Sequence, residues 1–293
     1  MRHLADVTGI LLEPAGGVID DRLRDRLRDR LASGIAPVVE RLPAGEPVAV
    51  SLPLLRRARA RPDAPLLPEE AFVWKPAFAR RSLGLAVVDA CIDGRFPTPM
   101  EAIGPVSDAA VAEWERTGWR TFHWEPWFAR LAPGARASVL AEALGWATAV
   151  WSAVEWNRLP RRPRVGGPAD QWKCPAGRVV ILKARSELRV LLWGDPPGSP
   201  GAGTVVRPPE ALVSVSSGCP GGTWSEELAY LALVAGLRSS TGPVPARVVG
   251  LWPDAGIHAA VDMDDAVLTA AAKRVIATVD AVVNARQSMV GSC

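Results

Sequence analysis

The sequence predicts an α/β protein, with a mixed sheet flanked by helices in the C-terminal half and a mostly helical, Trp- and Arg-rich region before it. Three observations carry that prediction. The chain has 293 residues, 48% of them hydrophobic, which is ample for a packed core. Its hydrophobic period changes from helical to extended after Gly166 and Gly167. From Ala135 onward helical and extended runs follow the order helix, three strands, helix, two strands, helix, which fits helices packed on a mixed sheet. The expected division is a helical and irregular region over 1–130 and an α/β domain over 131–293.

Ile19, Leu23, Leu27 and Leu31 recur at four-residue spacing between alternating Asp and Arg, so an amphipathic helix is expected over 19–35, with Gly34 as its stop. Its narrow apolar stripe could cover the protein's own core or dock on a partner chain. From Pro43 to Pro76 the chain is rich in Pro and Arg and reads as an irregular connection. Helical patterning returns from Phe78 to Cys91, closing at Gly94, and Ser107 is expected to cap another helix, with Val106 and Val111 placed as a staple. The longest helical signal runs from Ala135 to about Asn157, ended by Pro160 and Pro163. The runs RVVILK, LRVLLW and ALVSVS read as strands, and WSEELAYLALVAGLR as the helix after a glycine-rich turn. ARVVGLW and IHAAVD form a hairpin around Pro253, Asp254 and Gly256, and a last helix is expected from Asp264 to Ala285.

Thirty-four Lys and Arg against 31 Asp and Glu leave a net charge of +3, so any nucleic-acid or membrane surface must be local. The basic residues are nearly all Arg, with Lys only at Lys75, Lys173, Lys183 and Lys273. Cys91, Cys174, Cys219 and Cys293 lack any Cys-x-x-Cys spacing, which argues against a zinc or iron–sulfur site and against a disulfide framework. A charged helix stands where a signal peptide needs an apolar one, and no run of eighteen apolar residues is evident. A cytoplasmic location without membrane contact is expected, and no cofactor is implied.

Several residues invite chemistry, each beside a plainer explanation. SSGCPGGTW joins a strand to a helix, where free backbone N–H groups attract anions, but it lacks the Lys and following Ser or Thr of a P-loop. Cys219 in that loop would need a base, and His3, His123 and His258 are the only histidines. His123-Trp124-Glu125-Pro126-Trp127 could stack a sugar or base, or form part of an aromatic core with Trp114, Trp119, Trp146, Trp151 and Trp156. Asp262, Asp264 and Asp265 bunch where a strand gives way to a helix, as a cap or as a metal site.

Over roughly 135–286, the element order and a few positions resemble the PD-(D/E)XK nuclease superfamily, particularly its RecB-like and Cas4-like branch. The resemblance implies an acidic metal ligand on a first strand, Asp or Glu, any residue, then Lys on the next, and Gln-x-x-x-Tyr on the following helix. The carboxylates there hold Mg²⁺, which activates water. Glu187 matches the first acidic position, while Ser214, Val215 and Ser216 stand where the acid and Lys should be; Glu226 replaces Gln, and Tyr230, the single tyrosine, takes the Tyr position. A serine hydroxyl is neutral and a poor ligand for a hard dication, so phosphodiester cleavage is not expected.

These readings lead to a non-catalytic, nuclease-like protein that binds nucleic acid, DNA or RNA. Candidate phosphate contacts are Arg56, Arg57, Arg59, Arg61, Arg80, Arg81, Arg161, Arg162 and Arg164. The alternative is a protein-interaction or scaffold role through the 19–35 helix. An enzyme using Glu187, Asp195 and Glu210 with a metal is the third expectation.

Overall fold

In a computed structural model the described residues are 2–3, 7–13, 21–42, 47–60, 76–118, 124–166, 169–176, 180–191, 210–216, 218–238 and 244–290. The fold is α/β, as its patterning predicts. Nine strands are described: β1 (Arg2–His3), β2 (Val48–Val50), β3 (Arg164–Val165), β4 (Asp170–Lys173), β5 (Val180–Ala184), β6 (Leu188–Leu191), β7 (Glu210–Val215), β8 (Arg247–Trp252) and β9 (Ile257–Asp262). The described helices are α1 (Val7–Leu12), α2 (Asp21–Val39), α3 (Leu52–Ala60), α4 (Pro76–Ile92), α5 (Pro99–Thr117), α6 (Glu125–Ala129), α7 (Pro133–Ala153), α8 (Trp224–Arg238) and α9 (Asp265–Val290).

A mixed sheet of order β1-β9-β8-β7-β6-β3 forms the centre. Strands β7 and β8 run parallel, as their connection through α8 requires, and their other neighbours are antiparallel. Both central strands are apolar and buried on either face, with side chains sent to opposite sides in turn. Leu212 and Val248 join the core beneath α2, α8 and α9. Val213, Val215, Val249 and Leu251 join the core beneath α1, α4, α5, α6 and α7. Each core draws on residues from both sides of position 130, so the expected regions interlock in the folded chain.

A second, three-stranded sheet, β2-β5-β4, lies against α8. It shares one long hairpin with the first: β4 pairs with β5, the chain bends through Arg185, Ser186 and Glu187, and β6 then pairs with β3. That bend decides the site described below.

Three local expectations are corrected. Helix α2 runs through Gly34 and Pro37 to Val39. Gly34 is there for close approach, because a Cβ on it would collide with Ile276 Cδ1 of α9. Leu23, Leu27, Leu31 and Ile35 are buried in the chain's own core, so a partner could meet only the charged faces of this helix. Helix α5 starts at Pro99, capped by Thr98, which accepts from the Glu101 N–H; Ser107 lies inside it and donates back to the Gly104 carbonyl. The stretch from Pro43 to Pro76 holds β2 and α3, the strand existing because Val48–Val50 adds in parallel to β5. Helix α7 with its continuation to Arg158 meets the length and hydropathy of a membrane span, at a mean hydropathy of 1.3. In the fold it packs on α4 and α5, burying Ala143, Trp146, Ala147 and Val150.

Candidate functional site

Where β5 bends away at residues 185–187, strand β7 loses a neighbour, and the Val215 N–H is left facing inward. The fully buried Glu187 satisfies it: Oε2 accepts from Val215 N at 2.7 Å, and Oε1 accepts from Arg81 on α4. A carboxylate removed from water needs such compensation, and one amide plus one guanidinium supply it. Arg81 pays in its own basicity. Burial, then the neighbouring Arg185 and Arg56 guanidiniums, bring it down to about 10.

Arg81 lines a cleft of about 1100 Å³ walled by α3, α8, α9 and the loop after β7. Arg56 and Arg59 enter from α3, Arg274 from α9, Glu226 and Glu227 from the first turn of α8, and Trp224 and Trp252 form part of the lining. Arg56 makes a two-pronged bond to Glu227, Nε to Oε1 at 2.7 Å and Nη2 to Oε2 at 2.5 Å, which raises its basicity further. Arg59 pairs with Glu226, and Arg274 reaches the same carboxylate at 3.5 Å. Arg185 stands beside Arg81 on the bend, exposed and with no ion pair among the described residues. The two tryptophan rings meet edge to face, centroids 6.2 Å apart.

The candidate arginines thus divide. Arg56, Arg59 and Arg81 converge, joined by Arg274 and with Arg185 beside Arg81; these two belong to none of the arginine clusters singled out in the sequence. Arg57 is exposed on α3 and does not line the cleft. Arg80 turns instead toward Glu142 at 3.6 Å and Asp254 at 3.9 Å. Arg162 pairs with Asp89 and Asp93 near the far end of α4, roughly 12 Å of helix from Arg81, and Arg161 and Arg164 are exposed near it in the chain. Arg61 lies outside the described residues.

The family-motif positions also separate. Ser214 is buried in β7, and Ser216 lines the cleft just beyond it. Tyr230 is a structural pin, its hydroxyl donating to Val50 O at 2.6 Å and accepting from Lys183 N at 3.3 Å, which ties α8 to β2 and β5. Glu226 serves the arginines rather than Glu187.

Remaining candidates resolve into structural tasks. Glu210 bonds Arg189, which also holds buried Asp170; Asp195 lies outside the described residues. Asp264 caps α9, accepting from Val267 N at 2.7 Å, Asp262 holds Arg247, and Asp265 bonds Arg26 and Thr269. Among the described residues no three His, Cys, Asp or Glu side chains are grouped to hold a metal ion. Trp124 and Glu125 are buried in the helical core, with Trp124 edge-on to Phe128; His123 lies outside the described residues. Cys219 is exposed at the cleft wall, while burial pushes the Cys91 and Cys174 thiols up. His258 is fully buried in β9, and of His3 only the backbone pairing with Ile257 is described. The loop residues Gly221 and Thr223 line the cleft without a Lys among them.

Comparison with protein-family models, with curated proteins and with solved structures gives no match. The cleft's own chemistry therefore carries the functional reading.

Proposed function

We propose that this chain is a non-catalytic, nuclease-like protein of the cytoplasm that acts by binding nucleic acid in the arginine-lined cleft. The observation that carries the reading is the convergence of Arg56, Arg59, Arg81 and Arg274 from three separate helices on one cleft, with Arg185 beside Arg81 and Trp224 and Trp252 in the lining. Guanidiniums offer paired donors that match phosphate oxygens, and the partly exposed indole of Trp224, backed by buried Trp252, offers a face to a base without regard to sequence. Burial, and after it the repulsion of Arg185 and Arg56, lowers Arg81, and an added anion would relieve that repulsion.

The non-catalytic part rests on Glu187 and the serines. In a PD-(D/E)XK-like arrangement Glu187 would be a metal ligand, yet here both its oxygens are committed to Arg81 and Val215, and Ser214 in β7 and Ser216 just beyond it stand where an acid and Lys would be.

Titration of labelled single- and double-stranded DNA and RNA, with Mg²⁺ present and products monitored, tests this. The expected result is binding that weakens with salt, with log K falling by about 0.7 to 0.9 per log unit of salt for each phosphate held, and intact strands throughout. Absence of binding at low salt would end the proposal and move attention to a protein partner.

A further inference from the structure

Resting on that reading of the cleft, we propose that Glu226 and Glu227 form an acidic latch that occupies the arginines until a polyanion displaces them. The two carboxylates hold the forks that phosphate oxygens would otherwise take: Glu227 is bound two-pronged by Arg56, and Glu226 is shared by Arg59 and Arg274. A ligand bringing one charge can replace one carboxylate. Opening both requires at least two linked anionic groups, and Arg56 and Arg59 stand three residues apart on α3, so their side chains neighbour one another. The latch thereby favours a phosphodiester chain over a single nucleotide.

Two features suit these pairs to exchange rather than to holding the fold. Arg56 and Arg59 are each more than half exposed, at 53% and 54%, so water screens their attraction to the glutamates. Helix α3 is also anchored without them, through buried Leu54, partly buried Leu55 and packing on α9. Thr223 donates to Glu227 Oε1 at 3.1 Å, leaving the displaced carboxylate a partner in the loop just before its own helix.

The test compares the wild type with E226Q/E227Q by fluorescence anisotropy on a labelled oligonucleotide of about 20 residues and on a labelled mononucleotide, across a salt series, with native circular dichroism checked first. The double variant should bind the oligonucleotide about tenfold more tightly, with a salt slope steeper by about 0.7 to 0.9 per phosphate gained. Its preference for oligonucleotide over mononucleotide should shrink. The control E113Q/E155Q removes the same charge from exposed pairs on other helical segments and should leave affinity within about twofold. Unchanged or weaker binding by E226Q/E227Q, or an equal gain in the control, overturns the latch while wild-type binding keeps the cleft reading intact. Failure of the wild type and both variants to bind overturns the cleft reading itself, whereas binding by E226Q/E227Q alone supports the latch in its strongest form. Should the double variant not fold, E226Q and E227Q singly should each show part of the gain.

Discussion

Arg81–Glu187 and Arg56–Glu227 are the same kind of pair, an arginine crossing between elements to a carboxylate at one cleft, and they do different work. Glu187 is fully buried and also carries a backbone amide that the bent hairpin leaves without a strand partner. Glu227 is partly buried, with 19% of its side chain exposed, and its arginine is about half in water. Removing half of a buried pair leaves a charge stranded, whereas removing half of an exposed one leaves it hydrated. Burial, not pairing chemistry, divides structural arginines from exchangeable ones in this cleft.

The sharpest way to break that comparison is to neutralise one arginine of each kind. Arg81→Gln should cost about 3 kcal/mol in urea unfolding, because Glu187 loses its counter-charge inside the protein. Equal losses for Arg81→Gln and Arg56→Gln would erase the distinction. Next in size is Tyr230→Phe on the buried side of the same wall. Loss of its hydroxyl leaves Val50 O and Lys183 N without that partner, at about 1 to 2 kcal/mol. Glu210→Gln probes a partly buried acid whose arginine does not fully compensate it. Burial, outweighing Arg189, holds the Glu210 carboxyl above its ordinary value of 4.5. The folded state therefore keeps a proton that the unfolded chain has released, and wild-type stability falls as pH rises from 4.5 through the folded-state value. Melting temperatures measured from pH 4 upward should show Glu210→Gln gaining on the wild type across that rise and holding a constant margin above it. Smallest is Arg56→Gln, expected to change stability by less than about 1 kcal/mol while weakening oligonucleotide binding several-fold.

The sheet and its helices were legible because their signals are local. The run WSEELAYLALVAGLR is α8 residue for residue, and IHAAVD is β9, since both are bounded by turn residues and patterned for burial. Gly34 misleads as a stop because a close helix contact and a helix end call for the same residue, and only the position of Ile276 distinguishes them. Ser107 misleads similarly, its hydroxyl returning to the preceding turn in mid-helix. The cleft was only partly legible. Arg56 and Arg59 advertise themselves by density, but Arg185 and Arg274 lie outside the dense arginine clusters and reach the site through a strand bend and the long helix α9. The arginines at 161–164 share the density without the placement, since Arg162 is drawn to Asp89 and Asp93.

The docking of α2 on α9 also has a consequence in time. Arg26 and Asp265, which meet across that contact, are 239 residues apart in the chain, and β2 likewise waits for β5 to complete its sheet. During synthesis the leucine stripe of α2 leaves the ribosome long before the helix that shelters it. Its alternating Asp and Arg then act as an escort, keeping an early, unpaired apolar edge soluble until the chain supplies its cover.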